Sequence, residues 1–91
     1  MIIRLRKSAQ KELQKIFYGN PNSALKIEIF LTKLQSIPNP TTLPNAKKLQ
    51  GFSNRYRWRI GDYRIIGIIE NGEFKIIEII KIAKRDDNTY K

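Results

Sequence analysis

An α+β fold is predicted, with an αα-hairpin packed on a mainly antiparallel four-stranded sheet in the order β-α-α-β-β-β. Three observations predict it. Apolar residues recur at helical spacing between Ala9 and Leu34. From Arg55 the period falls to two, as in a strand with one apolar face. Asn71-Gly72 then stands between two apolar runs as a two-residue hairpin signal.

Ile2-Ile3-Arg4-Leu5 reads as a short first strand. Ser8 is the candidate N-cap of the first helix, with Glu12 in its first turns. Ala9, Leu13, Ile16 and Phe17 form that helix's apolar stripe, which stops near Gly19-Asn20-Pro21. Asn22-Ser23 starts a second helix, on which Leu25, Ile29, Phe30, Lys33 and Leu34 lie close to one face. Ile37-Pro38 ends it, because the residue before a proline disfavours the helical region. The short Gly-Asn-Pro connection makes the two helices a hairpin. Residues 39–45 hold two prolines and two threonines and read as a loop; Ala46 to Gly51 follows with one helical turn.

The remainder reads as strand. Tyr56, Trp58 and Ile60 alternate with Arg55, Arg57 and Arg59, which gives one apolar face and one basic face. Gly61-Asp62 turns the chain. Tyr63 to Glu70 is the next strand, and Glu73 to Ala83 the last. Both are almost continuously apolar, as strands covered on both faces are. Two helices cover one face of a small sheet, so another body is expected against part of the other.

With 91 residues, 41% of them hydrophobic, the chain suits one small domain over 1–91 and is not wholly disordered. It has neither cysteine nor histidine. Disulfides, thiolate-bound metal and the usual general base are thereby excluded. No signal peptide or membrane-length apolar run is present, so a soluble, cytoplasmic protein is expected. Eighteen basic against eight acidic residues give a formal charge of +10, a field that favours an anionic partner such as nucleic acid. Residues 1–54 carry a net +7 and residues 55–91 a net +3, yet the later basic residues are the more regularly placed.

Arg57 and Arg59 share a strand face, and pairing across Gly61-Asp62 brings Arg64 back to it. Lys81, Ala83 and Arg85 share a parity at the end of the last strand. An Arg-X-Arg pair alone is most often a solvated strand face. With Arg64, Lys84 and Arg85 added, the set reads as a phosphate-binding surface: converging guanidinium groups repel unless an anion compensates, and their planar fork suits phosphate. Arg55, Lys47, Lys48 and Lys81 extend its electrostatic footprint. Tyr56, Trp58, Tyr63 and Phe74 fall opposite the arginines and read as core rather than as base platforms. Asp86-Asp87 reads as a solvated terminal turn.

Lys48-Leu49-Gln50-Gly51, then Tyr56-Arg57-Trp58-Arg59-Ile60-Gly61-Asp62-Tyr63-Arg64-Ile65-Ile66, and finally Ile82-Ala83-Lys84-Arg85-Asp86-Asp87, resemble the RelE/ParE toxin superfamily, and its RelE branch more closely. The resemblance implies the RelE-like fold and the toxin of a type II toxin–antitoxin pair. It implies entry into the ribosomal A site, cleavage of mRNA there without metal or other cofactor, and silencing by a cognate antitoxin, here a small acidic amphipathic segment. In that chemistry the 2′-hydroxyl attacks the adjacent phosphate and the 5′-oxygen leaves. Carried over, Arg57 and Arg59 fall at basic strand positions where relatives often have lysine. Arg64 matches the arginine after Gly-Asp-Tyr. Lys84 and Arg85 match a basic pair that is often His-Arg, and Tyr90 a C-terminal tyrosine that stacks on or orients the nucleotide. Arginine stays protonated, so Lys84 is the remaining amine of the set for proton transfer. Two alternatives stand beside this: a ParE-like inhibitor of gyrase without its own catalysis, and a catalytically weak RNA-binding module.

Overall fold

The computed structural model describes residues 1–71 and 75–84. Strand β1 (Ile2–Leu5) leads into helices α1 (Lys7–Gly19) and α2 (Pro21–Leu34). Strands β2 (Ala46–Lys48), β3 (Arg55–Ile60), β4 (Tyr63–Asn71) and β5 (Lys75–Lys84) follow. They form a five-stranded sheet in the order β1-β5-β4-β3-β2. Only the β1–β5 pair is parallel among these neighbours.

The α+β architecture is as predicted, with one strand more than the four expected. Ala46, Lys47 and Lys48 pair with Trp58, Arg57 and Tyr56 instead of turning helically. The outer backbone groups of β3 need partners, and a three-residue strand satisfies them. Its brevity and its two lysines make it a poor template for further pairing.

Both helices start otherwise than their sequence signals indicate. Arg6, not Ser8, is the N-cap of α1, and it makes no side-chain cap. The helix runs straight off the sheet: the Arg6 amide donates to the Ile79 carbonyl at 2.9 Å, and the Ser8 hydroxyl donates to that of Ile80 at 3.4 Å. In α2, Pro21 takes the first turn, where its missing N–H costs nothing, and the Asn20 side chain accepts from the Ser23 amide at 3.3 Å. The helix ends at Leu34, and i→i+3 bonds then tighten the chain as far as Ile37.

The face that α2 buries also differs from expectation. Ala24, Ile27, Leu31 and Leu34 are buried, whereas Leu25 and Ile29 are exposed, as is Phe17 on α1. A helix rich in apolar residues carries two overlapping stripes. The sheet has taken the one containing Ala24, whose small side chain permits close approach.

The core lies between these helices and the sheet. Trp58 is fully buried and its indole N–H donates to the Pro40 carbonyl at 3.0 Å. Beneath it, Gly67 leaves room: a Cβ there would meet Ile77 Cγ2 at 2.9 Å and Trp58 Cζ3 at 3.0 Å. A register shift next to Gly67 pairs Ile66 with Lys81 and Gly67 with Ile79. Ile80 is thus extra, and Ile79 and Ile82, three apart, both reach the core. On the helix-free face Ile66, Ile68, Ile76 and Ile80 are half-buried. Gly72 of the expected hairpin turn, and Glu73 and Phe74 of the expected last strand, lie outside the described residues.

Candidate nucleic-acid interface

The alternation in β3 divides its side chains. Trp58 is buried under the helices, with Tyr56 and Ile60 packed against the same core. Arg55, Arg57 and Arg59 take the opposite parity and the opposite face. Gly61 carries the two-residue turn into β4 with φ +57°, a conformation that favours glycine. That turn fixes the register, setting Arg59 directly across from Arg64. On the other side of β3, Lys47 stands directly across from Arg57. Two like-charge pairs therefore sit on adjoining ladders.

Asn45 fixes the outer end of this arrangement. Its carbonyl accepts from the Arg59 amide at 3.1 Å, and its side-chain amide donates to the Arg59 carbonyl at 3.0 Å. Arg57 and Arg59 line two adjoining hollows. One, of about 350 Å³, also draws on Lys47, Lys48, Gln50 and Arg64. The other, of about 460 Å³, draws on Pro44, Asn45, Lys47 and Gly61. Arg59 is exposed and Arg57 and Arg64 half-buried, with Nε and Nη2 of Arg64 shielded from solvent. No carboxylate lines either hollow among the described residues. This is a cationic trough with planar donors, matched to a phosphate or a phosphorane.

The other expected site residues are dispersed. Arg55 lies two residues further along the same face, its guanidinium 4.3 Å from the centroid of the Phe52 ring. Lys81 turns to α1, where its ammonium meets Glu12 at 3.4 Å. The other oxygen of Glu12 accepts from the Ile82 amide at 3.0 Å. Lys84 pairs in register with Tyr63 and lines a separate hollow with Glu12, Lys15 and Asn20. The structure thus brings Lys47, Lys48, Arg57, Arg59 and Arg64 together and does not bring Lys81 or Lys84 to them. Arg85, Asp86, Asp87 and Tyr90 lie outside the described residues. The amines lining these hollows beside the arginines, among the described residues, are those of Lys47 and Lys48. Among the described residues no cluster of three or more acidic, histidine or cysteine side chains is disposed to hold a metal. Asn45, which the sequence did not single out, lines one of the hollows. Asn45 sits in a proline-rich loop and gives no pattern of its own.

The family model of the ParE toxin of type II toxin–antitoxin systems (parDE) matches residues 3–89. The chain belongs to this toxin family. A search of curated proteins gives no match. Among solved structures, the toxin resembles a chain of the archaeal RelE–RelB complex from Pyrococcus horikoshii OT3, with 27% identity and a TM-score of 0.75 over 94% of this chain and 96% of that one. It also resembles a chain of the RelB–RelE antitoxin–toxin complex from Methanococcus jannaschii, at 25% identity and a TM-score of 0.68 over 96% and 94%. The YoeB/ParE toxin from Agrobacterium tumefaciens shares the fold, with a TM-score of 0.75 at 15% identity over 94% of this chain and all of that one. Two helices on a mostly antiparallel sheet are thus the common architecture. No helix among the described residues is long and apolar enough to cross a membrane.

Proposed function

We propose that this toxin is a metal-independent endoribonuclease that cuts mRNA in the ribosomal A site, in the cytoplasm, and is silenced by a cognate acidic antitoxin. The observation that carries this reading is the pair of cross-strand like-charge contacts, Arg59 with Arg64 and Lys47 with Arg57, on one open sheet face. Cationic side chains gathered on one open face suit the charge of a phosphorane. In the reaction the 2′-oxygen bonds to phosphorus, its proton passes to a base, and the P–O5′ bond breaks as the 5′-oxygen takes a proton. Arg57, Arg59 and Arg64 stabilise the charge that develops on the non-bridging oxygens. Among the described residues lining the groove, Lys47 and Lys48 supply the amines proposed to carry the proton. The sequence resemblance adds Arg85 and Tyr90 to the proposed catalytic set. The antitoxin supplies acidic residues to the trough and apolar ones to the half-buried isoleucines Ile66, Ile68, Ile76 and Ile80.

Expression in a bacterial host is expected to halt translation, and Arg64→Ala or Arg85→Ala to restore growth. Continued toxicity of a folded Arg64→Ala/Arg85→Ala protein would count against the reading. A second reading, inhibition of gyrase without catalysis, draws on the match to the ParE family and on the arginines standing where a base is wanted. Pulse labelling separates them. Protein synthesis falls first for a ribonuclease; DNA-damage signalling precedes it for a gyrase inhibitor.

A further inference from the structure

The loop between β2 and β3 presents an aromatic ring beside the arginine trough. The Leu49 amide donates to the Arg55 carbonyl at 2.9 Å, closing the loop, and the Phe52 amide donates to the Leu49 carbonyl at 3.4 Å. Phe52 remains 44% exposed, with the Arg55 guanidinium held over its ring. Arg55 shares the face of Arg57 and Arg59 and lies two strand residues from Arg57, roughly 7 Å. One nucleotide spans that distance. An exposed aromatic is poorly hydrated, and a guanidinium on the ring holds both side chains in place before any ligand arrives. Aromatic and guanidinium planes are the two surfaces on which unpaired bases stack.

We propose that Phe52 and Arg55 form a stacking subsite for one base of single-stranded RNA, adjacent to the phosphate held by Arg57, Arg59 and Arg64. The inference rests on the reading of that trough as a phosphate site. It gives the toxin a contact to the flat face of a base, tolerant of base identity, in addition to backbone contacts.

The test is fluorescence anisotropy at low salt with the intact toxin and two probes. One is a hexanucleotide whose 2′-hydroxyls are methylated so that it cannot be cut. The other has the same backbone without bases. The wild-type toxin should bind the base-bearing probe about tenfold more tightly, the size expected for one stacked base. Phe52→Ala should abolish that preference while leaving the affinity for the abasic probe unchanged. Phe52→Trp should keep it, and Phe52→Leu, which retains apolar bulk without a flat face, should lose it. Arg57→Ala/Arg59→Ala should weaken both probes alike. If that double variant weakens both probes and Phe52→Ala keeps the full preference, the stacking subsite is overturned and the phosphate trough stands. If the wild-type toxin binds neither probe, both readings fall.

Discussion

The two faces of β3 are built to opposite rules. On one, Trp58 is fully enclosed, its indole N–H donates to the Pro40 carbonyl, and Gly67 is cut away to seat it. On the other, Arg57 and Arg59 face Lys47 and Arg64 across the ladders, with no carboxylate lining the trough among the described residues. The first face satisfies every local preference. The second gathers like charges across neighbouring strands, as a face that takes up an anion does. The same alternation that buries the indole aims the arginines, so the core face serves to hold the charged face rigid.

That contrast can be broken from either side. Trp58→Ala should be the most damaging change, destabilising the fold by about 3–5 kcal/mol in denaturant titration and lowering activity only through loss of folded protein. Arg64→Ala should do the reverse. Cleavage should fall by about 10²–10³-fold with thermal stability retained, as removal of one preorganised donor to a developing anion does. Gly67→Ala adds one methyl where Ile77 and Trp58 already crowd, and should cost about 1–3 kcal/mol. The smallest effect sharpens the comparison most. Arg59→Gln relieves a like-charge pair and should stabilise the free toxin by about 0.2–1 kcal/mol at low salt while lowering cleavage. A loss of stability there would show that the arginine row is structural.

Much of this was legible beforehand because it rests on local signals. The period-two run from Arg55, the Gly61-Asp62 turn and the proline after Asn20 each encode geometry within a few residues. The cross-strand meeting of Arg59 with Arg64 follows from the turn length alone. What escaped depends on tertiary context. Ala46–Lys48 is too short to show a period, and it is a strand because β3 needs partners. Leu25 and Ile29 have the right spacing for a buried stripe, yet Ala24 lets the neighbouring stripe approach more closely. The extra residue Ile80, which no pattern in an almost unbroken isoleucine run reveals, sets the register in which Ala83 stands across from Arg64 and Lys84 across from Tyr63. The proposed carriers for the proton are Lys47 and Lys48, beside the proposed phosphate ligands Arg57, Arg59 and Arg64.

The central claim is that the arginine trough stabilises the transition state of RNA cleavage. Its most direct measurement programs ribosomes with a defined mRNA, adds purified toxin without added metal beyond that the ribosome needs, and maps the new RNA ends. The account predicts cleavage at an A-site codon by the wild type, leaving a cyclic phosphate upstream and a 5′-hydroxyl downstream, and about 10²–10³-fold slower cleavage by Arg64→Ala of unchanged thermal stability. Intact mRNA with the wild-type toxin, or an Arg64→Ala protein that cuts as fast, would contradict it.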